Sequence, residues 1–240
     1  MAFGPERNTV IARQAQEAAV IDVGLRQYML GVYNYMASGL ALTGIVATLV
    51  AMSPGLQQAI FGTPLMWVAI LAPVALVFFL SFRVHKMSAT AAQATFWIYA
   101  ALNGVAFSTL FLAYTGQSIA RVFFITAATF AGVSLYGYTT KRNLSSMASC
   151  IMMGLIGIII AMVVNLFLAS SALQFAISVI GVIVFTGLTA WDTQRIKEWY
   201  VEGDERGVMV KKSVMGALSL YLDFINLFVM LMQLLGVRRD

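Results

Sequence analysis

The chain has 240 residues, of which 60% are hydrophobic and only 10% charged, with 15 Lys and Arg against 10 Asp and Glu. Soluble domains carry about 25% charged residues, and a mean hydropathy of +0.86 leaves too few charges to hydrate a globule, so lipid must solvate most of the outer surface. The net charge of +5 comes from basic residues scattered in ones and twos, which argues against nucleic acid as a partner, and the single Cys150 excludes an internal disulfide or a CxxC metal site.

Taken in chain order, residues 1–26 form a polar tail, too polar to hold the apolar core of a cleaved signal peptide, so the first apolar helix is expected to target and anchor the chain. The uncharged run 27–82 is long enough for two membrane helices and is broken by Ser53-Pro54-Gly55 and Gly62-Thr63-Pro64, turn chemistry that predicts spans over 28–52 and 65–82. Further spans are predicted over 92–114, 122–140, 146–168, 172–191 and 214–236, the fifth and sixth separated by Ala169-Ser170-Ser171. No repeat of 20 to 50 residues and no long linker appears. The expected architecture is an all-α membrane protein, one bundle of seven transmembrane helices over 27–240.

Counting Lys and Arg on alternate sides orients it. With the amino terminus cytoplasmic, Arg7, Arg13, Arg26, Arg83, Lys86, Lys141, Arg142, Arg195, Lys197, Arg206, Lys211 and Lys212 lie inside, and only Arg121, Arg238 and Arg239 outside. The carboxyl terminus is therefore expected outside.

An ionisable residue within a span costs about 2.5–3.5 kcal/mol on insertion scales and marks a functional candidate. Asp223 is that residue. It lies eleven residues after Lys212 and fifteen before Arg238, about 16 Å and 22 Å from the two ends of the helix at 1.5 Å per residue. Ser219, Asp223, Asn226 and Gln233 share one helical face, a polar stripe expected to look toward other helices or a cavity. Two readings fit such a carboxyl: a packing residue that fixes helix register, or an ion or proton site. Asp192, at the inner end of the sixth span, favours the second. Two carboxylates brought together in a low-dielectric site share a proton and titrate as a unit. Asp192 alone is equally well read as an interfacial partner of Arg195 at i+3.

The segments Ala217-Leu218-Ser219-Leu220-Tyr221-Leu222-Asp223-Phe224-Ile225-Asn226-Leu227-Phe228 and Trp191-Asp192-Thr193-Gln194-Arg195-Ile196 closely resemble the paired signatures of the transmembrane Bax inhibitor motif family (Bax inhibitor-1 like). With the seven spans, the polar tail and the Lys141-Arg142 loop, the resemblance covers essentially the whole chain and suggests a bacterial member. It implies six helices around a central seventh, in an inner-membrane calcium leak gated by pH through a pair of aspartates. Carried over by motif, these are Asp192 and Asp223. It also implies an arginine latch near the inner end of the second span, for which Arg83 is the positional candidate, although Phe82-Arg83-Val84-His85-Lys86 carries no distinctive motif. Some bacterial relatives are linked to a membrane-anchored protease, which gives an alternative: a membrane-embedded interaction protein acting through the 1–26 tail.

Two carboxylates with Asn226, Ser219 and backbone carbonyls make at most a loose calcium site, since calcium takes six to eight oxygens. Weak binding suits an ion that must leave as readily as it enters. No enzyme and no cofactor is expected. The lone His85 sits beside Lys86 in an inner loop without a partner motif, so no Ser-His-Asp, HExxH or Cys-His arrangement forms around it. No lysine within a span offers a Schiff base. Asn34, Ser38, Asn103 and Asn165 read as packing residues, and Glu198 to Lys212 as a solvated linker.

Overall fold

The computed structural model describes residues 5–239, with side chains from residue 23 onward, so of the tail expected over 1–26 residues 1–4 lie outside the described residues and 5–22 are described by their backbone alone. The elements are α1 (Pro5–Met52), α2 (Pro54–Phe61), α3 (Leu65–Arg83) with a 3-10 turn at Val84–Lys86, α4 (Ala89–Ala113), α5 (Gly116–Thr139), α6 (Ser145–Leu168), α7 (Ser171–Glu198) and α8 (Arg206–Leu235). Among the described residues, seven helices are long and apolar enough to cross a membrane: α1 from Val23, and α3 to α8. The seven predicted spans thus fall on α1 and α3 to α8.

Three boundaries differ from expectation, each for a local reason. The segment after Ser53 was expected to turn but forms α2, because proline at the first helical position has its φ preset and no amide to leave unpaired. Helix α5 begins at Gly116, six residues early, with Thr115 Oγ1 accepting from the Ser118 amide. Arg121 is accommodated there because its exposed guanidinium reaches over to donate to the Leu235 carbonyl at the end of α8, 3.0 Å away. Helices α7 and α8 run on through their charged ends, leaving only a short connection. Lys212 braces it, donating to the Trp199 carbonyl at 2.8 Å and pairing with Asp204 at 2.5 Å, while Val201 to Gly203 and Glu205 to Gly207 stay exposed, as a solvated linker should.

Helix α8 is the most enclosed of the seven spans and α6 the least. It packs extensively against α1, α4, α5 and α7, whereas α3 leans mainly on α4, and α6 on α7. Four neighbours, rather than six, therefore form the extensive contacts of α8. Small residues set the closest approaches. A Cβ on Gly137 would stand 2.3 Å from the Ala190 carbonyl oxygen, and one on Gly216 2.9 Å from Ile196, so α5 and α8 each meet α7 where only glycine fits.

The carboxyl-terminal segment returns across the far end of the bundle. Tyr114 and Arg238 form an antiparallel bridge, with the Thr115 amide donating to the Val237 carbonyl and the Arg239 amide to the Ala113 carbonyl, both at 3.0 Å. These bonds satisfy backbone groups that the end of α4 leaves open.

Candidate functional site

Asp223 lies midway along α8 and is 5% exposed. Its Oδ2 is buried with no hydrogen-bond partner among the described residues, an uncommon state for a buried polar atom. Asp192 stands nearly two turns before the end of α7, the helix against which α8 packs most extensively, and its side chain is 14% exposed. Its cation is Arg195, one turn further on, at 4.0 Å. The Arg195 guanidinium is in turn flanked by Trp191 and Trp199, at 5.3 and 5.2 Å from their ring centroids.

Every other polar residue of the α7 motif is engaged. Thr193 Oγ1 donates to the Thr189 carbonyl at 2.7 Å and bonds Ser134 Oγ at 2.9 Å, and Ser134 bonds Tyr33 OH at 2.6 Å, so one chain of hydroxyls ties α7 to α5 and α1. Gln194 accepts from the Leu144 amide and donates to the Arg142 carbonyl, both at 2.8 Å, which fixes the Lys141-Arg142 loop to α7. Lys197 donates to the Tyr138 carbonyl at 2.9 Å. The end of α7 that bears Asp192 is thereby held on three sides, the precondition for a charged group to act from a defined position.

The polar stripe of α8 divides in its partners. Asn226 Nδ2 donates back to the Leu222 carbonyl of its own helix at 2.8 Å. Gln233 Oε1 accepts from Ser178 at 2.7 Å and from Gln174 at 2.6 Å, and Gln174 Oε1 accepts from Asn165 at 3.0 Å. These amides line a small polar cavity of about 330 Å³ that also contains Arg238, at the end of the bundle away from Asp192. On the opposite face of α8, the buried Tyr221 OH bonds Thr43 Oγ1 at 2.7 Å.

The family model described as inhibitor of apoptosis-promoting Bax1 matches residues 25–240. The chain belongs to the transmembrane Bax inhibitor motif family. Its relatives are similar along nearly their whole length: it is 53% identical to protein RP147 of Rickettsia prowazekii over 91% of this chain and 93% of that one. It is 46% identical to the inner membrane protein YbhL of Escherichia coli, over 90% of this chain and 94% of the relative. An uncharacterized membrane protein of Streptococcus pyogenes, SpyM3_0260, is 36% identical over the same shares of the two chains.

Of the residues that the family resemblance singles out, Asp192 and Asp223 lie on packed helices, whereas Arg83 is exposed at the end of α3 with no carboxylate within 4.0 Å among the described residues. No group of three or more His, Cys, Asp or Glu side chains clusters among the described residues, so the two aspartates would bind a cation only together with neutral oxygens such as those of Ser219 and Asn226. The Tyr33, Ser134, Thr193 chain and the loop-holding role of Gln194 were not read from the sequence. A hydroxyl or amide in an apolar helix looks the same in sequence whether it bonds its own backbone or a neighbouring helix.

Proposed function

We propose that this family member is a pH-responsive calcium leak of a bacterial inner membrane, with its amino terminus cytoplasmic and its carboxyl terminus outside. It acts as a channel rather than an enzyme, without a cofactor, and calcium is the ion that permeates. The observation that carries this reading is the partnerless, buried Oδ2 of Asp223. A carboxyl oxygen in that position requires a proton or a cation as its partner; calcium enters the path by displacing that proton, while the rise of flux on acidification comes from the opening controlled by Asp192. The stripe from Ser219 through Asp223 and Asn226 to Gln233 supplies neutral oxygens along one side of α8, ending at the polar cavity beside Arg238. Such a path binds calcium loosely, as conduction demands.

Asp192 is the second member of the pair. Ionised, it is held by Arg195 in the present state; protonated, it releases that contact and frees the mouth formed by α7 and α8. The latch role of Arg83 belongs, in this reading, to a second state in which the end of α3 reaches Asp192. Purified protein in liposomes, with calcium-dye flux followed from pH 8 to pH 6, tests the proposal. Flux should rise on acidification in the wild type, lose its pH dependence in Asp192→Asn and fall in Asp223→Asn. Flux that is absent, or indifferent to both substitutions, contradicts it.

A further inference from the structure

Between α1 and α5 the bundle does not close. Both helices pack on α8 but not extensively on each other, and an open groove of about 1120 Å³ lies between them. That exceeds the volume of about 300–1,000 Å³ usual for small-molecule sites. Its walls are apolar, with Leu30 and Leu40 on α1, Phe123 and Ala127 on α5, and Phe224 and Phe228 of α8 as its floor. Of the hydroxyls that border it, Tyr33 and Ser134 bond one another and Thr43 is engaged with Tyr221. Arg26 and Ala47 both line the groove; 21 residues apart on α1, they are separated by about 31 Å, so it runs the depth of a hydrocarbon core about 30 Å thick.

Charge distinguishes one end. Arg26 and Tyr138 line the groove where α5 finishes, and Lys197 packs on Tyr138, with Nζ on its carbonyl and 5.2 Å from the centre of its ring. Lys141 and Arg142 follow directly after α5. Arg26 is the one cation among the lining residues; at the far end Arg121 follows the lining Ala120, but its guanidinium is turned to the Leu235 carbonyl at the end of α8, 3.0 Å away. An apolar furrow open to the bilayer, with its one lining cation at one mouth, matches a molecule with a long hydrocarbon chain and an anionic head.

We propose that the α1–α5 groove is a binding site for an anionic phospholipid, its phosphate on Arg26 and an acyl chain lying along the groove toward Phe224. A chain from that leaflet reaches about 15 Å, half the hydrocarbon thickness. Ala131 lines the groove and lies seven residues, about 10 Å, from Tyr138, within reach of the chain. Gly44, about 27 Å from Arg26, lines the part beyond it, and a Cβ there would meet no atom within 4 Å.

Native mass spectrometry of the full-length protein, incubated in mild detergent with phosphatidylglycerol and with phosphatidylcholine of the same acyl chains, tests this. The wild type should retain a single phosphatidylglycerol about tenfold more than phosphatidylcholine, the worth of one charge-assisted contact. Arg26→Gln should erase that preference, Ala131→Phe should lose both lipids, and Gly44→Leu should behave as wild type. Circular dichroism establishes that each variant is folded, and Ala127→Leu replaces Ala131→Phe if the larger ring is not accepted. No retained lipid, a headgroup preference that survives Arg26→Gln, or retention unaffected by filling the groove overturns the proposal.

Discussion

Arg195 holds its guanidinium 4.0 Å from the Asp192 carboxylate, one turn along the same helix, with the Trp191 and Trp199 rings on either side of it. The arginine side chain is 50% exposed, so the pair contributes little to stability, about 1 kcal/mol or less. Its effect is on titration. An adjacent cation favours the ionised carboxylate, and removing it makes protonation easier. Arg195→Gln should therefore move the pH response of calcium flux toward alkaline pH, by less than about one pH unit, with thermal unfolding in detergent nearly unchanged. A shift toward acid pH would show that Arg195 does not act on Asp192.

The Thr43 and Tyr221 hydroxyls are joined in the buried core, but their alternatives differ. Thr43 Oγ1 also lies within bonding distance of the Gly39 and Ala100 carbonyls, whereas Tyr221 is fully enclosed with Thr43 as its partner. Tyr221→Phe leaves Thr43 satisfied and should cost about 0.5–1.5 kcal/mol. Thr43→Val strands the Tyr221 hydroxyl and should cost more, about 1–3 kcal/mol. Denaturant or thermal unfolding of the two variants in the same detergent checks the order.

Helix α5 reaches α7 only because Gly137 has no side chain where the Ala190 carbonyl passes. Gly137→Ala should destabilise by about 1–3 kcal/mol through forced separation of the helices. Gly132, on the same helix but with nothing within 4 Å of its ideal Cβ, provides the control. Gly132→Ala should be neutral or stabilising by up to about 1 kcal/mol, the helix propensity difference.

Ala169 ends α6 in the left-handed region, at φ +47, a conformation that costs an L residue about 1–2 kcal/mol. The adjoining turn is otherwise well bonded: Asn165 Oδ1 accepts from the Ser170 amide and Ser170 Oγ from the Leu173 amide. Ala169→Gly should raise the unfolding free energy by about 1 kcal/mol, detectable as a higher melting temperature without a change in flux.

The spans were legible in the sequence because an apolar run of membrane length has few other uses, and the two breaks at Ser53-Pro54-Gly55 and Ala169-Ser170-Ser171 both separate helices in the structure. Helix ends were less legible. Arg121, Asp192 and Lys212 looked like boundaries, yet each lies inside a helix, because a long side chain can reach a carbonyl or a partner charge without ending the helix. Asp223 stood out for the cost of a carboxyl in a span, and it is buried as that cost implies. The α1–α5 groove gave no sequence signal, since Leu30, Phe123 and Phe228 would read alike facing lipid, a cavity or another helix.

The exchange of a proton for a cation at Asp223 is tested most directly by infrared difference spectroscopy of the lipid-reconstituted protein, titrated with calcium and separately with base. The account predicts a protonated-carboxyl band that disappears under both treatments and that is missing from Asp223→Asn. No band attributable to Asp223, or one that ignores both calcium and pH, would contradict it.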